Sequence, residues 1–294
     1  MREELLRKAA GFLTRQGFLV FCCEGTHACF DLVARRGEEL FLIKVLENID
    51  AFTPDQARDL KKISFMFSAK GLLLGETTKE GRLSEGVLYE RQGVPVVGLA
   101  TLQGIVQGEL PETRKFKVLA VSIDGEKLSE IRRERQFSLE QLASKTRISK
   151  ETLYRYEHNR TGASEENIAR LERILDADLR KPIDPFSAGS KPIDERTAFS
   201  FLGFRSVKAR SAPFEIAARE RGKLFAGEEA DRRTMKKRAR IYSSISGMLE
   251  SKPCFLLNKS EKDQLEGIPV VRREELKGIK KARELLKLLE ERGE

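Results

Sequence analysis

The sequence predicts two related α/β domains on either side of a central all-α domain. Three observations indicate this fold class: two sequence blocks near the start recur near the end, the middle carries four closely spaced helix-start signals, and 40% of the 294 residues are hydrophobic, enough for buried cores. No run reaches the roughly eighteen consecutive apolar residues of a membrane span. We therefore expect a folded cytoplasmic protein without a membrane segment.

The charge balance favours an anionic partner. The formal net charge is +9, which gives the molecule a standing attraction for polyanions, among which nucleic acid is the commonest. The four cysteines, Cys22, Cys23, Cys29 and Cys254, are too few and too unevenly spaced for a disulfide framework. We expect reduced thiols; the alternative is a zinc site formed by Cys23, His27 and Cys29, although no pair has CxxC spacing.

Helix and strand patterns divide the chain into segments. The first, residues 1–111, has an amphipathic helix at 3–15, a strand (GFLVFC), a strand pair (CFDLVARRGEELFLIKV), a helix (PDQARDLKKISFMFSA), a strand (GLLLG), a polar loop, a strand (GVPVVGL) and a short helix. The middle segment, 112–180, begins with a strand (FKVLAVSID) and is then helical. A linker with Pro and Ser, 181–196, leads to the third segment, 197–294.

The third segment repeats the first in two blocks. FDLVARRGEELF at 30–41 aligns without gaps with FEIAARERGKLF at 214–225, and GVPVVGLATLQGI at 93–105 aligns with GIPVVRREELKGI at 267–279. Matching apolar, Gly and Pro positions in the same order predict that one fold occurs twice. A final helix at 273–292 is expected to pack its leucine-rich face on the second sheet.

The middle segment has four short predicted helices, three of which begin with a serine cap. Ser138 and Gln141 form a capping box for the second helix, Ser149 caps the third and Ser164 caps the fourth. Because about three residues separate the second helix from the third, the third is expected to protrude on one side of the domain. Such a helix can enter the major groove of DNA.

This segment resembles the Cro/C1-type helix-turn-helix of the XRE family over about fifty residues. The residues that carry the resemblance are Leu128 and Arg132 in the first helix, Leu142 and Ala143 in the second, and Ile148, Ser149 and Glu157 in the third. The resemblance implies an ion pair between Arg132 and Glu157. It also implies left-handed backbone at Arg147 and Asn159, where the family often has Gly, at a cost of about 1 kcal/mol for Arg147.

The same resemblance implies that the third helix, 149–158, binds DNA. Thr152 and Arg155 would contact base edges, whereas Lys150, Arg160 and Thr161 would contact phosphates. The full expected DNA-binding set is Ser149, Lys150, Glu151, Thr152, Tyr154, Arg155, Arg160 and Thr161. The alternative at each single position is an ordinary solvated helix residue.

The element order of the flanking segments resembles the restriction-endonuclease-like fold of the PD-(D/E)xK superfamily. In that fold an Asp and an E-x-K on the next strand bind a divalent metal that activates water. Asp31 and Lys44 match the outer positions, but Leu42 replaces the middle acid, and Glu215 replaces the Asp in the second copy. The resemblance therefore implies two degenerate nuclease-like domains with no catalytic residues, metal or cofactor.

The whole arrangement resembles archaeal transcriptional regulators that combine a Cro/C1-type helix-turn-helix with a nuclease-like domain. It implies a non-enzymatic regulator that reads double-stranded DNA as a homodimer, with two helix-turn-helices at neighbouring half-sites. The rival classes are a metal-dependent nuclease or DNA-repair factor targeted by the helix-turn-helix, and an antitoxin-like or scaffold protein.

Two uses of the flanking copies stay open. They would dimerise or bind partners, or they would hold DNA non-specifically through the basic run RRTMKKRAR at 232–240. The alternative interpretation of that run is a solvated helix face balanced by Glu228, Glu229 and Asp231.

Overall fold

The computed structural model describes residues 2–23, 28–109, 111–115, 120–121, 123–161, 163–180 and 194–293. The predicted linker lies outside these residues up to position 193, as does most of the predicted strand FKVLAVSID. The chain forms two compact units. Unit 1 comprises Met1–Leu83, Gln92–Val94 and Ala188–Glu294, and unit 2 comprises Ser84–Arg91 and Pro95–Ser187. Among the described helices, none is long and apolar enough to cross a membrane.

The first segment has the predicted order of helices and strands. Its elements are α1 (Arg2–Arg15), β1 (Leu19–Cys22), β2 (Leu32–Arg36), β3 (Glu39–Val45), α2 (Pro54–Phe67), β4 (Lys70–Leu74), β5 (Thr77–Thr78), β6 (Gly81–Arg82), β7 (Val87–Arg91), β8 (Val94–Val97) and α3 (Leu99–Val106). The predicted polar loop was wrong in part, because it contains β5, β6 and β7. Strand β7 buries Val87 and Leu88, a signal too short to stand out among polar neighbours.

The middle segment folds as four helices with a short strand pair. Its elements are β9 (Glu112–Lys115), β10 (Ala120–Val121), α4 (Gly125–Glu134), α5 (Leu139–Thr146), α6 (Lys150–Glu157), β11 (Ala163–Ser164) and α7 (Glu165–Leu175). Strands β10 and β11 pair antiparallel. Leu128, Leu142, Leu153 and Leu171 bring one fully buried leucine from each helix into a common core. This is the predicted helix-turn-helix domain.

The third segment repeats the topology of the first. Its elements are β12 (Arg205–Lys208), β13 (Ile216–Arg219), β14 (Lys223–Glu228), α8 (Arg232–Leu249), β15 (Lys252–Leu257), β16 (Gln264–Leu265), β17 (Ile268–Arg272), α9 (Arg273–Leu276) and α10 (Ala282–Glu291). In both copies two antiparallel strand pairs precede a helix, and the strand after that helix pairs parallel with the strand before it. One fold therefore occurs twice, as the repeat predicted.

The single predicted helix at 273–292 was wrong, because it consists of α9 and α10. Helix α9 ends at Leu276, and the chain is extended at Lys281, where φ is −138°. The predicted apolar face is nevertheless correct, since Leu276, Leu285 and Leu289 all enter the same core of the second copy.

The strand hairpins of the two copies differ by one residue. Arg35 on β2 lies opposite Leu40, five positions later, whereas its counterpart Arg219 on β13 lies opposite Lys223, four positions later, so the second hairpin is one residue shorter between equivalent strand positions. The gapless alignment therefore slips by one position across the turn. In the structure Gly227, rather than Glu228, corresponds to Lys44 of the first copy.

The two copies pack against each other inside unit 1 through reciprocal contacts. Helix α2 of the first copy contacts β12 and β13 of the second, and α8 of the second contacts β1 and β2 of the first. Arg35 donates a hydrogen bond to the carbonyl of Met248 at 2.8 Å and pairs with Glu250, which ends α8. Its counterpart Arg219 donates to Oγ of Ser68, which ends α2, at 2.8 Å. Equivalent residues meet equivalent places, as in a two-fold dimer.

A buried carboxylate links the copies at a second place. Asp59 of α2 is 5% exposed, and its Oδ2 accepts hydrogen bonds from the backbone nitrogens of Arg210 and Ser211, both at 2.8 Å. At the end of the same helix, the ring of Phe67 packs edge-on against the ring of Phe214, with 6.0 Å between the ring centroids. The copy interface thus combines aromatic packing with charge-assisted hydrogen bonds.

Replacing Asp59 with Ala leaves two backbone N–H groups without an acceptor in this interface. Hydrogen bonds to charged groups contribute more than neutral ones, so we expect Asp59→Ala to lower the free energy of unfolding by about 2–4 kcal/mol. Urea unfolding followed by circular dichroism measures the change. The matched control is Asp55→Ala on the same helix, whose partner Arg58 lies at 2.8 Å on the surface; it should cost less than about 1 kcal/mol. Equal losses would contradict the assignment.

Candidate nucleic-acid interface

The start of α6 is set by a tight turn and a serine cap. Helix α5 ends at Arg147, whose φ of 56° lies in the left-handed region, and α6 begins three residues later. Ser149 Oγ accepts a hydrogen bond from the backbone nitrogen of Thr152 at 3.1 Å, and the two hydroxyl groups lie 2.7 Å apart. Asn159, just after the helix, has a φ of 52°. Both left-handed positions are those that the resemblance predicted.

The inner face of α6 is anchored by buried side chains. Leu153 is completely buried and Tyr156 is 3% exposed. The hydroxyl of Tyr156 accepts a hydrogen bond from Asn167 of α7 at 3.1 Å. A Cβ at Gly125, which begins α4, would lie 2.3 Å from the carbonyl oxygen of Tyr156, so only glycine allows this approach of α4 to the end of α6.

A bidentate ion pair joins α4 to the end of α6. Arg132 donates to the two carboxylate oxygens of Glu157 at 2.5 and 2.9 Å, and its remaining nitrogen donates to the carbonyl of Phe137 at 2.9 Å. The two side chains are 11% and 5% exposed. The hydrogen bond from Arg132 to Glu157 raises the pKa of the guanidinium, so Arg132 stays charged. The ion pair therefore fixes the end of α6 against α4.

The outer face of α6 exposes charged residues that are paired with neighbouring acids. Lys150 pairs with Glu140 of α5, and its hydrogen bond lowers the pKa of that carboxyl. Arg155 pairs with Glu151 one turn earlier at 2.6 Å. The four side chains are 56–74% exposed. Such surface pairs contribute at most about 1 kcal/mol, so DNA can displace the acids.

Two aromatic rings stack at the end of the outer face. The rings of Tyr154 and His158 lie 4.0 Å apart, and the guanidinium of Arg160 lies 5.6 Å from the Tyr154 centroid. His158 was not selected from the sequence. The signal that could have found it is its position four residues after Tyr154, because side chains at that spacing meet on a helix.

The expected DNA-binding residues therefore come together on one exposed surface. Among them, only Thr152 is intermediate in exposure, and the others are exposed. They comprise the cap, the outer face and the following turn of α6, namely Ser149, Lys150, Glu151, Thr152, Tyr154, Arg155, Arg160 and Thr161. The surface combines hydroxyl groups, guanidinium groups and an aromatic ring, the groups that contact phosphates and base edges.

The degenerate nuclease position of the first copy is a closed salt-bridge cluster. Asp31 and Lys44 are 2% and 3% exposed. Asp31 Oδ1 accepts hydrogen bonds from Arg2 at 2.7 Å and from Lys44 at 3.2 Å, while Oδ2 accepts from the backbone nitrogen of Val45 at 2.8 Å. With both oxygens occupied and Leu42 in place of the second acid, these residues do not fit a divalent metal ion.

The second copy uses its carboxylate in the same way. Glu215 Oε2 accepts from the backbone nitrogen of Glu228 at 2.8 Å, and Oε1 pairs with Arg238 of α8. Among the described residues there is no group of three or more His, Cys, Asp or Glu that could hold a metal ion. In each copy a cationic side chain therefore pairs with the carboxylate at the first position of the nuclease-like motif.

Two of the three residues of the alternative zinc site lie within the described part of the chain. Cys23 and Cys29 are buried, and burial raises the pKa of both thiols. His27 lies outside the described residues, so the three-ligand site stays untested. Cys254 is also buried, which raises the pKa of its thiol to about 12.

The fold and this surface define a helix-turn-helix protein with PD-(D/E)xK-like α/β domains. Models of two families match the chain: a PD-(D/E)XK superfamily domain at residues 2–111 and a helix-turn-helix domain at residues 125–180. Three relatives are provisionally named HTH-type transcriptional regulatory proteins. That of Pyrococcus horikoshii is 36% identical, over 98% of this chain and 97% of its own length.

The other two relatives have similar sequence identity over nearly their full lengths. That of Thermococcus gammatolerans is 34% identical, over 98% of this chain and 96% of its own. That of Haloarcula marismortui is 31% identical, over 100% and 98%. The chain belongs to this family of archaeal HTH-type transcriptional regulatory proteins. No solved structure matches it.

Removing one partner of the Arg132–Glu157 pair leaves the other charge nearly buried. We expect Glu157→Ala to lower the free energy of unfolding of the helical domain by about 3 kcal/mol. Thermal and urea unfolding measure the loss. The double variant Arg132→Leu/Glu157→Leu removes both charges and should lose less than the single variant. Glu151→Ala, an exposed acid on the same helix, is the control, and an equal loss there would refute the anchoring role.

Proposed function

We propose that the protein is a sequence-specific transcriptional regulator that reads the major groove of double-stranded DNA with α6. The observation that carries this proposal is the geometry of that helix: its inner face is fixed by Leu153, Tyr156 and the Glu157 ion pair, while its outer face is exposed and polar. Base recognition requires a helix that is held firmly in place and that exposes a polar face. The names of the relatives support the same function.

The proposed residue roles follow from position along the helix. Thr152 and Arg155 lie on the outer face and would contact base edges. Lys150 near the start, and Arg160 and Thr161 after the end, would contact the phosphates on either side of the groove. Arg160 is preoriented by Tyr154, whose ring it covers.

We further propose that the protein is not an enzyme and acts in the cytoplasm. The closed clusters around Asp31 and Glu215 support the first point, because their carboxylates are engaged with cations and backbone N–H groups. A metal-dependent nuclease or repair factor is the competing function, since the chain matches a PD-(D/E)XK domain.

Binding as a homodimer also belongs to the proposal. Two helix-turn-helices on one operator would occupy half-sites about one helical turn apart. The reciprocal contacts of α2 and α8 occupy these helices within one chain. A dimer interface would therefore use surfaces other than the faces of α2 and α8 that contact the other copy. A palindromic consensus, selected from a random duplex pool, would support the homodimer.

Two arginine variants separate base contacts from phosphate contacts. On the selected operator, Arg155→Ala should remove about 1–3 kcal/mol of discrimination at one base pair. Arg160→Ala should weaken binding to all sequences and reduce the slope of log affinity against log salt by about 0.9. Anisotropy titrations on matched and mismatched duplexes at several salt concentrations measure both effects.

The matched control for these variants is Arg133→Ala on α4. Arg133 lines a groove with Glu126, Glu130 and Glu134, where DNA phosphates would be repelled. It should change neither specificity nor the salt slope. Indistinguishable effects of all three substitutions would sink the proposed role of α6.

The competing nuclease function makes a separate prediction. We expect purified protein to leave linear and supercoiled DNA intact in the presence of Mg²⁺ or Mn²⁺, because both oxygens of Asp31 already accept hydrogen bonds and Leu42 stands in place of the second acid. Gel electrophoresis after prolonged incubation checks this. Cleavage that the near-isosteric Asp31→Asn abolishes, but Asp55→Asn does not, would establish the nuclease instead.

A further inference from the structure

Helix α8 of the second copy carries a dense exposed group of cations. We call this group the α8 basic face, and its members are Arg232, Arg233, Lys236, Lys237 and Arg240. Residues three and four apart lie on the same side of a helix. At about 1.5 Å per residue the face extends over about 12 Å of the helix axis.

Three of these cations have no partner within the part of the chain that the structure describes. The guanidinium groups of Arg232, Arg233 and Arg240 form no hydrogen bond or ion pair with any residue that the structure describes. Lys236 pairs with Glu266 at 3.3 Å. This distinguishes the face from the outer side of α6, where Lys150 is paired with a neighbouring acid.

The acidic residues before α8 are engaged elsewhere. Glu228 pairs with Arg273 at 2.6 Å, and Glu229 accepts a hydrogen bond from Asn258 at 2.9 Å. Asp231 caps α8 by accepting hydrogen bonds from the first backbone N–H groups of the helix. The interpretation of the run as a face balanced by these three acids therefore loses its support.

The position of the arginines is unfavourable in the free protein. Arg232 and Arg233 are the first two residues of α8, at the positive end of the helix dipole. The dipole and the mutual repulsion of the cations both disfavour positive charge there. A bound polyanion would offset both effects, so the arrangement is best explained by an anionic partner.

The apolar side of α8 is fully used inside the protein. The ring of Tyr242 contacts Phe225 and Phe255 at 5.0 and 5.3 Å between centroids. A Cβ at Gly227 would lie 2.3 Å from the Tyr242 hydroxyl, which shows how closely the helix approaches the sheet. A helix that lies on a membrane needs an exposed apolar face. The partner therefore meets only the cations.

The corresponding helix of the first copy lacks this face. Helix α2 has 14 residues and α8 has 18. The exposed charges of α2 are satisfied within the protein, because Arg58 pairs with Asp55 at 2.8 Å and Lys61 donates to the carbonyl of Gln92 at 2.8 Å. The cations are thus a feature of the second copy rather than of the shared fold.

We propose that the α8 basic face is a second DNA-binding surface, which contacts the phosphate backbone of duplex DNA without regard to sequence. Guanidinium groups suit this role, since they bind phosphate oxygens through paired hydrogen bonds. The surface belongs to unit 1 and does not require α6. This surface is therefore distinct from the one that the proposed function uses.

The test compares two triple variants of the full chain on a random-sequence 30-base-pair duplex. The first is Arg232→Ala/Arg233→Ala/Arg240→Ala. Alanine preserves helix propensity, and melting temperature checks the fold. The control is Lys277→Ala/Lys280→Ala/Arg283→Ala, which removes the same number of exposed charges near the start of α10.

The control cations lie on the other side of the second sheet. Successive strand residues point to opposite faces. Phe255 contacts Tyr242 of α8, whereas Cys254 and Leu256 belong to the core that contains Leu285 of α10. The two variants thus differ in the location of the lost charge and not in its amount.

We expect the α8 variant to bind the duplex at least about tenfold more weakly at low salt, with a salt slope reduced by up to about 2.7. The control should change the slope by less than about 0.5. The charge-preserving variant Arg232→Lys/Arg233→Lys/Arg240→Lys should restore most of the affinity. The same loss should persist when Arg155→Ala and Arg160→Ala are also present, which separates this surface from α6.

Equal losses in the α8 and control variants would overturn the proposal, because they would reflect net charge alone. Disappearance of the effect when α6 is disabled would overturn the independence of the surface. A loss confined to an RNA duplex of the same sequence would assign the face to RNA instead. Failure of the unaltered chain to bind any DNA duplex would overturn it as well.

Discussion

The ion pair between Arg132 and Glu157 fixes the helix on which DNA recognition depends. Two of its hydrogen bonds join α4 to the end of α6, and a third reaches the carbonyl of Phe137 before α5. One side chain therefore links the three helices that define the motif. Because both partners are nearly buried, separating them would strand a charge in low-dielectric surroundings. The position of α6 thus depends on a buried polar contact, whereas its own outer charges remain in water.

Each of the two α/β copies places a cation beside the carboxylate at its nuclease-like position. In a metal-dependent nuclease the carboxylate faces a cation that activates water. Here Lys44 and Arg2 supply positive charge to Asp31, and Arg238 supplies it to Glu215. A buried carboxylate without compensation would be costly. A cationic side chain in each copy therefore compensates the charge of the carboxylate, as a bound metal ion would in a nuclease.

Local signals made the helix-turn-helix predictable, because caps and short turns join residues only three or four positions apart. The Arg132–Glu157 pair followed from the family resemblance. Errors arose where distant contacts decide the structure. The second hairpin is one residue shorter between equivalent strand positions, a shift that a gapless alignment hides, and the break between α9 and α10 divides a helix whose apolar face was predicted correctly. His158 was missed although it lies four residues after Tyr154, and the reciprocal contacts between the copies join positions 151 to 215 residues apart, which no local rule reaches.

The two exposed cationic surfaces differ in how they can contribute to DNA binding. Before Arg155 contacts a base, it has to exchange the Glu151 carboxylate, at 2.6 Å, for the new partner. Its net contribution therefore depends on how well the base fits, which is a condition for discrimination. Arg232 and Arg233 have no described partner to exchange, so they gain from any phosphate within reach. The paired cations of α6 would favour specificity, whereas Arg232 and Arg233 of α8, which have no partner among the described residues, would favour affinity, and this division follows from the surrounding acids rather than from the basic residues themselves.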